Sequence, residues 1–75
     1  MQSCILIRNL PGKSADVLKA IKKLPEIKSA NLVFGRYDIA AFAEAPNYKA
    51  LSVLTSKVNA TLGIKSTESL VEATD

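Results

Sequence analysis

Two carboxylates, Asp38 and Glu68, are the only candidates in this sequence for acid–base chemistry. The chain contains no histidine and a single cysteine, Cys4. General acid–base catalysis needs a positioned proton carrier, and no close pair of carboxylates falls on one predicted face. Zinc needs clustered Cys and His ligands, and these are missing from the sequence, so neither a metal nor another cofactor is expected. Cys4 has no partner for an internal disulfide and sits in an apolar run, so it reads as a small buried apolar residue and not as a reactive thiol. Asp38 is the unusual one. It opens the apolar run Ile39-Ala40-Ala41-Phe42-Ala43, and a carboxylate there must be solvated, hydrogen-bonded or functional. Lys19, Lys22 and Lys23 lie near the end of a predicted helix, where they complement the negative end of its dipole as a solvated face and do not form a phosphate site.

The elements that position Asp38 follow from apolar spacing. Ala30, Leu32 and Phe34 recur two apart. Beyond Gly35 and Arg36, Tyr37, Ile39, Ala41 and Ala43 share one face, with Asp38, Ala40, Phe42 and Glu44 on the other. This predicts an antiparallel hairpin over Ile27 to Glu44, turned in two residues at Gly35, whose backbone tolerates positive φ. Upstream, Ser3-Cys4-Ile5-Leu6-Ile7 is a β-branched-rich apolar run, the pattern of a strand buried on both faces or at an interface. Pro11-Gly12 ends it in a turn. Ser14 is the expected cap of a helix with apolar Val17, Leu18, Ile21 and Leu24, stopped by Pro25. Pro46 terminates the hairpin and Asn47 is the expected cap of a second helix, with Leu51, Leu54, Val58 and Leu62 at helical spacing and Gly63 at its C-terminal exit. Ile64 to Val71 has strand character polar enough for an edge or for lining a site, and Glu72 to Asp75 reads as a short tail.

The order β-α-β-β-α-β predicts an α+β, ferredoxin-like fold: a four-stranded antiparallel sheet with both helices on one face. Such a sheet leaves its other face bare. With 75 residues the chain is one domain near the lower limit for folding on its own core, yet 48% of its residues are hydrophobic. That surplus predicts sheet-to-sheet pairing with a second subunit. Ten basic residues are interleaved with seven acidic ones, giving a net charge of +3, which favours solubility over the clustered basic face of a nucleic-acid binder. No apolar run approaches the roughly 20 residues of a membrane span, and no signal peptide is evident, so the expectation is a cytoplasmic protein with Cys4 reduced and no membrane partner.

The run Ile7-Arg8-Asn9-Leu10-Pro11-Gly12, the lead Pro25-Glu26-Ile27, the corner Phe34-Gly35-Arg36-Tyr37-Asp38 and the run Gly63-Ile64-Lys65-Ser66-Thr67-Glu68-Ser69 resemble the C-terminal effector domain of Lrp/AsnC-type transcription regulators, also called the RAM domain. The resemblance covers Ile5 to Val71. Full-length members carry an N-terminal helix-turn-helix. Here only Met1 to Ser3 precede the first strand, so the expectation is a single RAM module over residues 1–75 without direct DNA binding. The resemblance implies αβ-sandwich dimers that assemble into octameric or decameric rings, a small amino-acid effector bound between subunits, and pairing with a full-length regulator.

The family's ligand region maps onto Gly35, Tyr37 and Asp38 at the corner and onto Thr67 and Ser69 on the last strand. In that role Asp38 would accept from a ligand ammonium, and the Thr67 and Ser69 hydroxyls or backbone N–H groups would donate to a carboxylate, which Arg36 could also reach from the turn. Tyr37 and Asp38 could instead hold the corner and a dimer interface. Thr67 and Ser69 could be ordinary edge-strand residues, and Arg36 a solvated turn residue. Phe34 and Phe42 read as core or interface. The competing functions are a small dimeric ferredoxin-like enzyme of monooxygenase or isomerase type, and an ACT-type module, whose ligand glycine in the first strand-to-helix loop Pro11-Gly12 matches approximately. A metal chaperone is disfavoured because the first loop lacks Cys-x-x-Cys.

Overall fold

Alternation of side chains along one strand divides the protein into a covered side and an open side. In the computed structural model, which describes residues 1–71, β1 spans Gln2–Asn9. Its Ser3, Ile5, Ile7 and Asn9 are buried, while Cys4, Leu6 and Arg8 between them are only half-buried. The expectation of a strand buried on both faces is therefore corrected within this chain: β1 has one covered face. Cys4 is on the other, and is only half-buried.

The remaining elements follow in the expected order: α1 (Ser14–Lys22), β2 (Ile27–Leu32), β3 (Ile39–Glu44), α2 (Tyr48–Asn59) and β4 (Ile64–Val71). They form one antiparallel four-stranded sheet of order β2-β3-β1-β4, so β1 and β3 are interior and β2 and β4 are the edges. This is the ferredoxin-like fold. Val17 and Ile21 of α1 and Leu51, Leu54 and Val58 of α2 join Ile5, Ile7, Ile39, Ala41 and Ala43 in a single core on one side of the sheet. Among the described residues no helix is long and apolar enough to cross a membrane.

Local departures from expectation have identifiable causes. The hairpin turn is longer than two residues: Leu32 pairs with Ile39, and the Val33 N–H donates to the Asp38 carbonyl, leaving Phe34 to Tyr37 as the loop. Asp38 is held instead by β1, its N–H donating to the Ile7 carbonyl at 2.8 Å. Phe34, expected in the core or an interface, is outside the core at the loop tip, and Leu32 is exposed although its pairing with buried Ile39 keeps it on the face of Ala30, so the strand runs on past the cover of the helices. Ser14 is not the cap of α1. Lys13 occupies that position without a side-chain hydrogen bond, since its ammonium offers no acceptor, and the Ser14 hydroxyl donates instead to Asn9 Oδ1 at 3.1 Å.

The second helix ends earlier than its apolar spacing suggests. Ala60 is its C-cap, Leu62 is 94% exposed, and Gly63 lies past the helix end in the turn into β4. Its φ of +95° and the Val17 Cγ2 only 3.0 Å from where a Cβ would stand leave glycine as the fitting residue there. Asn47 caps α2 as expected, its Oδ1 accepting from the Ala50 N–H at 2.8 Å. Replacing it with alanine should cost about 1 kcal/mol, seen as a lower midpoint in urea with an unchanged slope. The expected tail, Glu72 to Asp75, lies outside the described residues.

Candidate functional site

Three segments distant in sequence meet at the end of the sheet where β1 finishes. Antiparallel pairing sets Arg8 and Asn9 beside the start of β4, and the β2–β3 loop folds back over them. Between them is an open cleft of about 430 Å³ lined by Arg8, Asn9, Pro11, Gly12, Ser14, Gly35, Arg36, Asp38 and Lys65.

Hydrogen bonds tie the loop to the end of β1. The Arg8 guanidinium donates through Nε at 3.0 Å and Nη2 at 2.7 Å to the Arg36 carbonyl, and it lies 5.7 Å from the centroid of the Tyr37 ring. Asn9 N–H donates to Asp38 Oδ2 at 3.0 Å, Asn9 Nδ2 donates to the Leu10 carbonyl at 2.8 Å, and the Leu10 N–H donates to the Gly63 carbonyl at 2.7 Å. Asp38 is thus anchored through one carboxylate oxygen and through its own N–H. Gly35 has φ +120° with nothing within 4 Å of a hypothetical Cβ, so the loop's conformation, more than crowding, calls for glycine.

Of the sequence-predicted site residues, Gly35, Arg36 and Asp38 come together in the cleft. Tyr37 turns to the open side of the sheet, where its hydroxyl donates to the Glu68 carboxylate. Glu68 pairs in register with Leu6 and so shares that open face. The Glu68 hydrogen bond and charge push the Tyr37 pKa up, against the smaller lowering by Arg36 and Arg8, so the hydroxyl stays a protonated donor throughout the neutral range.

Thr67 and Ser69 are on the opposite face, because they pair with Ile7 and Ile5. The Thr67 hydroxyl donates to Asn59 Oδ1, linking β4 to the end of α2, and the buried Ser69 Oγ has no hydrogen-bond partner. Neither lines the cleft. Arg8, Asn9, Gly12, Ser14 and Lys65 do line it and were not singled out as site residues. The signal for Arg8 was its place directly after the apolar Ile5-Leu6-Ile7, where a buried strand gives way to a charged end.

Chemically the cleft offers one carboxylate against three cations. Among the described residues the Arg36 guanidinium and the Lys65 ammonium meet no carboxylate. No group of three or more His, Cys, Asp or Glu side chains among the described residues could hold a metal ion. Asp38, in the cleft, and Glu68, on the open face under Tyr37, belong to different surroundings and do not form an acid–base pair.

The structure is thus a ferredoxin-like α+β sheet with a polar cleft at one end. The chain belongs to the Lrp/AsnC ligand binding domain family, whose model matches residues 2–72. Among solved structures it is similar to FFRP-DM1, with 27% identity over 96% of this chain and 97% of that one and a TM-score of 0.90. A hypothetical protein from Pyrococcus horikoshii is also 27% identical over 99% of this chain and 90% of that one, with a TM-score of 0.89. Escherichia coli AsnC is 25% identical, with 99% of this chain aligning to 52% of that chain at a TM-score of 0.82. No curated protein matches the chain significantly.

Proposed function

We propose that the chain is a non-catalytic effector-binding module of Lrp/AsnC type that takes a small amino-acid-like ligand at the cleft and passes its presence on through assembly. The observation that carries this reading is the presence of Asp38 and an unmatched Arg36 in one cleft of a chain from a ligand-binding family. The second Asp38 oxygen suits a ligand ammonium while Oδ2 keeps the Asn9 N–H, and a carboxylate facing Arg36 completes the recognition of an α-amino acid. Gly12 and Gly35 leave the backbone accessible on either side.

Assembly enters because the ligand site is at the rim of the sheet and the sheet's open face carries Cys4, Leu6, Ala40, Phe42 and Leu70. These side chains support sheet-to-sheet pairing of two copies, with further association into an octameric or decameric ring around the exposed Phe34, Leu10 and Leu62 at the cleft end. In a cytoplasmic setting, with Cys4 reduced, such a module would modulate transcription of amino-acid metabolism by pairing with a full-length regulator.

Isothermal titration of the protein with the common amino acids tests the binding step. Asp38→Asn is the informative variant, since its amide oxygen can still accept from the Asn9 N–H while the charge is lost. Binding of the preferred amino acid should weaken by about ten- to a hundredfold, the worth of a charge-assisted hydrogen bond, with the melting temperature little changed. Turnover of any amino acid or oxidisable substrate, abolished by the same variant, would instead establish an enzyme.

A further inference from the structure

The charges around the cleft do not suit every amino acid equally. Arg8, Arg36 and Lys65 line it together with a single carboxylate, Asp38, which leaves an excess of two positive charges when all are ionised. The further carboxylates on the elements that flank the cleft, Glu68 of β4 and Asp16 in the first turn of α1, are outside its lining, and Glu68 accepts from Tyr37 on the open face. Arg8 has committed two of its nitrogens to the Arg36 carbonyl, so its charge is held in place by the loop it supports. The Arg36 and Lys65 side chains, by contrast, are exposed and meet no carboxylate among the described residues.

We infer that the effector is an α-amino acid with an acidic side chain, of the aspartate or glutamate class. The inference rests on the effector-binding reading and narrows it. A neutral amino acid brings one ammonium and one carboxylate. Its ammonium answers Asp38, its carboxylate answers one of the two unmatched cations, and the other stays uncompensated beside it. A second carboxylate fills that position, with Arg36 and Lys65 on opposite segments, the β2–β3 loop and the start of β4, each taking one anion. A basic side chain adds a third excess charge to a cleft that already holds two and is repelled. The preference is electrostatic and near solvent, so it weakens as salt rises.

Titrating the full chain at low and high salt with L-aspartate, L-glutamate, L-asparagine, L-glutamine, L-leucine, L-lysine and inorganic phosphate separates the outcomes. One of the two acids should bind at least about tenfold more tightly than its amide, and L-lysine weakest of all, with the acid–amide gap closing at high salt. Arg36→Gln and Lys65→Gln alter exposed side chains, and each should narrow that gap. Tighter binding of an amide, of leucine or of lysine overturns the acidic preference and leaves effector binding intact. An acid–amide gap that survives both variants, or binding of phosphate alone, overturns it as well. Failure of every amino acid to bind removes both this inference and the reading beneath it.

Discussion

Ile7→Ala should remove a large share of the stability of the protein. Ile7 is fully buried in β1, one of the two interior strands, where it pairs with Ile39 of β3 and Thr67 of β4. Truncation to alanine removes three methyl or methylene carbons from a packed core and leaves a cavity, at a cost of about 2 to 5 kcal/mol. For a chain of this length the whole stability is about 4 to 11 kcal/mol, scaled from the usual value per residue. The melting temperature should fall by about 10 °C or more. The cleft would suffer with the fold, because the Ile7 carbonyl accepts the Asp38 N–H and the next two residues are Arg8 and Asn9. Leu6→Ala, one residue away on the half-buried open face, is the comparison. Its loss should be smaller in dilute protein and should grow with concentration if that face is paired. Equal losses at the two positions, independent of concentration, would mean that the open face is as well packed within one chain as the covered one.

The contrast between Ile7 and Leu6 also explains what could be read from the sequence. Period-two spacing in β3, strand propensity in β4, three-and-four spacing in α1 and α2, and the cap at Asn47 are local signals, each decided within a few residues, and they produced the correct element order and the ferredoxin-like fold. Where tertiary contacts compete with local pattern, the expectation failed. Asp38 looked like the first residue of a strand because its neighbours alternate, yet its N–H and carboxylate are engaged by Ile7 and Asn9, and this stretches the expected tight turn into a four-residue loop. Ser14 looked like a cap because it precedes an apolar helical pattern, but Asn9 accepts its hydroxyl.

The site was half legible for the same reason. Gly35, Arg36 and Asp38 fall within four consecutive residues and come together in the cleft. Lys65 reaches it only through the pairing of β4 with β1, which brings Asn9 opposite Ile64, and nothing local to Lys65 announces that. Thr67 and Ser69 follow Lys65 closely in sequence, but the alternation of β4 and its register with Ile7 and Ile5 send both hydroxyls to the helix-covered side. Carrying a ligand role onto a strand residue requires knowing its face, and that face follows from the pairing of β4 with β1, which the residue pattern of β4 does not reveal.

Phe42→Asp should turn an associated protein into a folded monomer. Phe42 is 50% exposed on the open face of β3, opposite Cys4 of β1 in register, and Cys4 is in turn opposite the exposed Leu70 of β4. Together with Gln2, Lys28 and Glu44 at the margin these three side chains border a shallow cavity of about 460 Å³, an apolar centre with a polar rim. That is the arrangement of an interface hot spot: aromatic burial at the centre contributes most and the rim excludes water. A carboxylate at position 42 would face apolar surface and its own symmetry mate without a counter-ion, so the dimer should weaken by about thirtyfold or more. Light scattering at micromolar concentration reads the shift in mass, and an unchanged far-UV spectrum shows that the chain still folds, since Phe42 is not part of the covered core. Tyr48→Asp removes a comparably exposed aromatic residue from α2 and should leave the mass unchanged. A wild-type monomer would rule out the pairing, and loss of association in the Tyr48 variant alone would move the interface off the sheet. Amino-acid binding at the cleft would then have to act on something other than sheet pairing, for Asp38 and Phe42 lie on the same strand approach, and ligand capture at one end is transmitted to the pairing face only if that face is occupied.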